Sequence, residues 1–316
     1  MDRGYFVISL DFELMYGVLD KASDKWEYYN NIIGARNAIP QILELFKRYS
    51  ISATWATVGM LFNKNKEELL SNLPDIKPGY ANPKLSVYNQ LNRITDENEE
   101  LFFARDLIAQ IAKYPGQEIA THTYEHYYCT EEGQTKEEFE ADLKQAKKIM
   151  IDNGYDAPAS IVFPRNMCNE EYIDVLRNNG IRAYRGDAQT WYTNLPENYF
   201  KRGIRLLDGY VNVGGNACCE INSAEVIDIP ASRNLYHYGK IPHLDGLKLH
   251  RIKHQMKYAA IHKKVFHLWW HPHNFGVRIS ENLKDLQTIL EYYQYLQQKY
   301  NMSSVNMGML SEQYSR

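Results

Sequence analysis

Short apolar runs and amphipathic stretches alternate along this chain, and that alternation is the strongest limit on its fold. Residues 5–10 (YFVISL) form an almost unbroken apolar run, the mark of a strand covered on both faces rather than one. Residues 35–48 place Ile39, Ile42, Leu43, Leu45 and Phe46 at helical spacing. The β-branched run 51–59 ends in a glycine and reads as a strand, and QEIATH, ASIVFP, IRAYR, VIDIPAS and VFHLWWH read likewise. Helices are expected over 98–113, 135–152, 170–180, 249–263 and 280–299, that over 135–152 with an acidic first turn. Residues 60–98, with Pro74, Pro78 and Pro83, read as a long excursion, and 192–225 read as irregular.

About seven strand-then-helix units in one chain of 316 residues predict an α/β fold: a single irregular (β/α)7-type barrel domain over 1–316, closed by a C-terminal helix. A doubly wound open sheet is the alternative. Neither repeats nor low-complexity tracts nor a linker interrupt the pattern.

Charge narrows the partners. The 36 basic and 39 acidic residues give a net charge of −3, so nothing calls for nucleic acid or an anionic membrane. The locally basic stretch 248–264 reads as the solvated face of a helix. Cys129, Cys168, Cys218 and Cys219 form no CxxC pair and outline no disulfide framework. The N-terminus shows no signal-peptide pattern and no apolar run reaches eighteen residues, which leads to the expectation of a cytoplasmic protein.

In a parallel barrel the chemistry sits where strands end at their C-termini. The polar residues expected there are Asp11, Glu13, Thr57, His122, His126, Arg165, Asn166, Asp187, Arg233, His271 and His273. Asp11 and Glu13 flank Phe12, so strand alternation points both carboxylates the same way. Two close carboxylates avoid ionising alike and tend to divide roles, one as metal ligand and one as base. His122 and His126 stand four apart and can chelate one ion from a single turn. The same HTYEH fits the H-x-x-E-H pattern of zinc proteases, but that pattern needs a long helix and this segment follows a strand. His271 ends a strand and could act as a general acid. Arg165 could pair with Asp11, Asp187 could orient His271 or the base, His267 reads as core, and His273 reads as exposed and able to touch substrate.

SLDFE, ATHTYEH, FPRN, RGDAQTW and HLWWHPHNFG occur in the order of the five motifs of the polysaccharide deacetylases (the NodB-homology, carbohydrate esterase family 4 group), which this chain resembles over roughly residues 5–275. ATWATVG is similar to that family's second-strand segment. The resemblance implies removal of acetyl groups from N-acetylated sugars by a divalent ion, most often zinc, held by one acid and two histidines. Carried over by position, Asp11 is the base, Glu13, His122 and His126 are the metal ligands, His271 is the acid, and Arg165 and Asp187 are supporting residues. The first motif here separates its acids by one residue, as in a D-x-D/E branch of the family, and the third has Pro164 before the arginine. The family's chemistry also implies an oxyanion donor, for which a backbone N–H after His126 is a candidate.

Three other readings stand beside this one. The His/His/carboxylate set also suits iron(II) oxygenases, though these favour a double-stranded β-helix. A sugar-binding or inactive barrel would keep the fold without turnover. A glycosidase would need a second carboxylate, with Asp187 or Asp228 the candidate.

Overall fold

The opening apolar run becomes β1 (Tyr5–Phe12), and every one of its residues is buried. The structure, a computed structural model, describes residues 1–22 and 28–315. The remaining strands are β2 (Ala53–Thr57), β3 (Gln117–Thr121), β4 (Ser160–Val162), β5 (Ala183–Arg185), β6 (Ile227–Asp228), β7 (Arg233–Asn234), β8 (Val265–Trp270) and β9 (Ser303–Val305). All pair in parallel, in the order β6-β5-β4-β3-β2-β1-β8-β7, with β9 beside the start of β1.

The sheet curls into a ring that one segment completes. The amides of Ile227, Ile229 and Ala231 donate to Arg182, Tyr184 and Gly186 on the β5 side, and those of Ser232 and Leu235 then donate to His267 and Trp269 on the β8 side. β6 and β7 are therefore two halves of one strand that changes partner between Ala231 and Ser232, beside Pro230, a residue with no N–H to offer either neighbour. The result is the irregular seven-position barrel expected from the sequence.

Helices α1 (Tyr29–Arg48), α2 (Lys66–Ser71), α3 (Arg105–Ala112), α4 (Lys136–Asp152), α5 (Ile173–Asn178), α6 (Tyr199–Asp208), α7 (Asp245–His262), α8 (Ile279–Tyr300) and α9 (Met307–Tyr314) connect and follow the strands. α4 starts at a capping box formed by Thr135 and Glu138. Period-two alternation splits the apolar residues into two cores. Phe6, Ile8, Leu10, Trp55, Phe266, Leu268 and Trp270 face out and pack under α1 and α8. Tyr5, Val7, Ala56, Val162, Ala183, Ile227 and Val265 face in, and Met307 and Leu310 of α9 plug the lumen at that end. Buried aliphatic and aromatic side chains of this size each contribute about 1.5–3 kcal/mol. Farther along the same strands the inward positions turn polar: Ser9, Asp11, Arg185 and His267.

Three expectations change. Residues 199–208 form a helix inside the stretch read as irregular, with Asn198 capping it through Lys201 N. Its apolar and basic residues segregate around the axis, but little of it is buried and Gly203 interrupts it. α7 is not a uniformly solvated basic face, because Lys248 and Arg251 are buried against Asp245, Asp285 and Asp208. The tail adds β9 and α9 beyond the helix expected over 280–299. No helix among the described residues is long and apolar enough to cross a membrane.

Candidate metal centre and acid–base site

Glu13 lies one residue beyond β1 and is the hub of the site. Its Oε2 is 3.3 Å from His122 Nε2 and 3.0 Å from His126 Nε2. Its Oε1 is 3.4 Å from His271 Nε2 and 4.0 Å from His273 Nδ1. Gly17 makes room for this carboxylate, since a Cβ at position 17 would collide with it. Burial alone would raise the Glu13 carboxyl, but the charge of His271, with the imidazoles of His122 and His126 close by, holds it well below the usual carboxylate range.

His122 and His126 come from the turn after β3. This turn is not helical, which removes the zinc-protease reading of HTYEH. Thr123 and His126 adopt left-handed backbone angles (φ 66 and 70), a costly conformation for side chains with a Cβ. Buried Asp142 holds the turn by accepting from the amides of Tyr124 (2.7 Å) and Glu125 (3.1 Å). Glu125 itself is buried and points away from the centre, accepting from Tyr80 Oη and Val87 N.

His122 Nδ1 is 2.7 Å from the carbonyl of Val162. A carbonyl only accepts, so Nδ1 carries the hydrogen and Nε2 presents a lone pair. That Nε2 is buried without a hydrogen-bond partner. His126 Nδ1 lies 3.2 Å from Tyr128 Oη, and burial lowers the His126 imidazole despite Glu13 beside it. One nitrogen from each imidazole and a carboxylate oxygen, all within 4.8 Å of one another, form a possible metal site. Without a cation, the acceptors His122 Nε2 and Glu13 Oε2 would face each other with nothing between them, so the donor set fits a divalent ion.

Asp11 sits beside this cluster, 3% exposed. Arg185, fully buried at the end of β5, grips it with Nη1 at 2.6 Å from Oδ1 and Nη2 at 2.7 Å from Oδ2. Burial would raise the Asp11 carboxyl, and the Arg185 guanidinium outweighs that and lowers it. Arg185 also donates to Asn166 Oδ1 and Ser9 Oγ and lies 4.4 Å over the Trp269 ring. His271, half-buried, places Nε2 3.6 Å from Asp11 Oδ2.

The expected partner of Asp11, Arg165, is elsewhere. It follows β4 in a left-handed conformation (φ 59) that carries its side chain to the rim. There it pairs with Glu131 (2.6 Å) and Asp20 (2.8 Å) over the Tyr128 ring. Sequence reasoning missed Arg185, yet IRAYR held a signal: alternation buries Ala183 and Arg185 together, and a buried guanidinium requires a carboxylate. Asp187 is exposed beyond Gly186 and is not among the groups facing His271. Asp228 alternates with the inward Ile227 and Ile229, so its carboxyl, pushed up to about 6 by burial, faces away from Asp11. His273 is buried rather than exposed, and burial with His271 nearby pushes it down to about 4. The amides of Tyr127 and Tyr128, expected as oxyanion donors, are already committed to Thr123 Oγ1 and Tyr80 Oη.

With this geometry in hand, comparison with known proteins is direct. The sequence profile of the polysaccharide deacetylases matches residues 28–184, which hold both histidines of the turn. The chain belongs to the polysaccharide deacetylase family. Asp11, Glu13 and His271 lie outside the matched segment, and the fold brings them to it. Among solved structures the chain is similar to a protein described as a polysaccharide deacetylase from Mycobacterium smegmatis (TM-score 0.63, 12% identity, 99% of this chain and 91% of that one). Another, described as a polysaccharide deacetylase from Pseudomonas aeruginosa PAO1, aligns with TM-score 0.53 and 14% identity over 98% of this chain and 89% of that one. The PuuE allantoinase aligns with TM-score 0.53 and 14% identity over 98% and 88%. At these identities the likeness is one of fold. A search of curated protein sequences gives no match.

Proposed function

We propose that this member of the polysaccharide deacetylases is a metal-dependent amide hydrolase. It removes an N-acetyl or related acyl group from a sugar of a surface polysaccharide or its precursor, with residues 1–316 working as one catalytic unit. The observation that carries the reading is His122 Nε2, a buried lone pair without a partner, aimed at a carboxylate that a second imidazole also faces. Glu13, His122 and His126 would hold the ion, and zinc suits one carboxylate and two imidazoles. When bound, it supplies a Lewis acid that polarises the acyl carbonyl and acidifies water.

The chain's own residues do the rest. Asp11, kept anionic by Arg185, accepts the proton of the attacking water. His271 stands within reach of the same space and, protonated, delivers a proton to the departing amine. Trp269 packs edge-on to His271 and under the Arg185 guanidinium, which fixes the acid and the support of the base against one ring. Arg165 braces the rim by tying Asp20 to Glu131.

Elemental analysis of tag-free protein, wild type beside His122→Ala/His126→Ala, tests this together with acetate release from N-acetylated glycans. The expected result is about one divalent ion per wild-type chain, none in the variant, and release abolished by chelation. A wild type that takes up no ion on reconstitution, or releases acetate regardless of chelator, overturns it. Stoichiometric ion without turnover on any glycan would favour a binding barrel instead.

A further inference from the structure

The mechanism leaves one fully buried histidine unused. His267 lies on β8 with its side chain in the lumen, directly below Trp269 and His271. Its Nδ1 is 3.0 Å from the carbonyl of Ile229 and its Nε2 is 2.8 Å from Ser9 Oγ. These two distances fix every proton in the neighbourhood. The Ile229 carbonyl only accepts, so Nδ1 carries the hydrogen. Nε2 is then an acceptor, and the Ser9 hydroxyl must donate to it. Ser9 Oγ is left with lone pairs alone toward Arg185, whose Nη1 donates to it at 2.9 Å. The guanidinium has five N–H groups, and all are spent: Nε on Asn166, Nη2 on Asn166 and Asp11, Nη1 on Asp11 and Ser9. Burial pushes the His267 imidazole down to about 3, consistent with a neutral ring whose single N–H points one way.

The far end of this chain of hydrogen bonds is the seam of the barrel. Ile229 belongs to the segment that changes partner after Pro230, and the amide of Ile229 is held by Tyr184 O, one residue before Arg185. Ser232 N donates to His267 O, and His267 N donates to Ser232 Oγ at 3.0 Å. His267 thus meets the closing segment at three points and the base of the site through two intermediates.

We propose that His267 is a positioning residue which, through Ser9, sets the plane of Arg185 and so aims Asp11. The proposal rests on Asp11 being the base. A rival use of the pair, as a serine nucleophile with its histidine base, has the right separation. It fails on access: Ser9 and His267 are both 0% exposed and Arg185 lies across the Ser9 oxygen.

The test uses the metal-loaded full chain and four variants: His267→Leu, His267→Gln, Ser9→Ala and the Leu/Ala double. Melting and metal content serve as controls for folding. On an N-acetylated glycan that wild type turns over, His267→Leu should lower kcat about 10- to 100-fold, as changes in groups supporting a metal site do, with KM nearly unmoved. Ser9→Ala should act in the same direction, and the double variant should be no slower than the slower single one, because both act through one chain of bonds. His267→Gln, which can still donate to Ile229 and accept from Ser9, should recover most of the loss. Additive losses, a loss confined to KM, or no rescue by glutamine would overturn the proposal. Ring 15N spectroscopy decides the point even if no glycan is turned over. A neutral His267 with the hydrogen on Nδ1, its Nε2 resonance moving in Ser9→Ala, is expected; the opposite tautomer overturns the assignment.

Discussion

Two ends of one lumen enclose carboxylates and treat them in opposite ways. At the plugged end, Glu118 of β3 accepts from Thr54 Oγ1 (2.7 Å), Ser160 Oγ (2.7 Å) and the amide of Gly308 at the start of α9 (2.9 Å). Burial raises its carboxyl, and these neutral donors offset only part of that. At the open end, Asp11 and Glu13 are more deeply buried, yet both are lowered, by a guanidinium and by imidazoles. Burial therefore does not decide the state of an acid here; the charge of its partners does. One end uses a carboxylate to fasten a helix, and the other prepares carboxylates for chemistry.

The sharpest way to break the open end is Glu13→Gln. It removes the charge that two imidazole nitrogens face, so metal content should fall to near zero and acyl release by more than about 100-fold, beyond the loss typical of groups one layer out. Elemental analysis and acetate release measure both, and an ion retained at full stoichiometry would contradict the ligand assignment. Next in size is Arg185→Met, which strands Asp11 in a dry site. Loss of one partner from a buried pair costs about 3–5 kcal/mol, readable in urea unfolding. Arg165→Ala, whose partners at the rim are part-exposed, should cost about 1 kcal/mol or less, and a reversed order would show that Arg185 is misassigned. Gly17→Ala pushes a methyl into the Glu13 carboxylate and should weaken metal binding about 10-fold, seen by competition with a chelating dye.

The smallest effect belongs to the plugged end. The Glu118 carboxyl titrates higher in the folded chain than the roughly 4.3 of an unfolded one. Above that value the folded state binds more protons than the unfolded state, so this group's contribution falls as pH rises through the window. Glu118→Gln should flatten that fall. A difference on the order of 1 kcal/mol would appear as about 2–4 °C in Tm. Melting curves of the two proteins that stay parallel across the acidic range would show Glu118 to be unshifted.

Much of the open end was legible because its residues combine a strand pattern with a chemical one. YFVISL followed by two acids, and a β3 run followed by paired histidines, announce both position and role. The guanidinium that matters was harder to find. Arg165 and Arg185 both stand at strand ends, and only the left-handed turn at Arg165 sends it outward. Backbone handedness at a non-glycine residue leaves no mark in composition. The helix at 199–208 carried a signal that the polar surroundings masked: Asn198 caps it and its apolar and basic residues segregate around the axis, although most of it is exposed. The division of β6 from β7 depends on which neighbour each amide finds, a tertiary property that VIDIPAS alone does not encode.

The pairing of β1 with β8, Tyr5 opposite Val265, also bears on how the chain reaches its folded state. Neighbouring strands that are 260 positions apart make the loop-closure cost of this contact large and its formation late. During synthesis the first acids and the paired histidines emerge long before His271, so an incomplete chain holds ligands for an ion with one edge of β1 still open. An ion captured at that stage would bridge β1 and the turn after β3 before the ring closes. It would then act on the order of assembly as well as on the finished barrel, and refolding rates measured with and without zinc would differ most in the phase that docks β8.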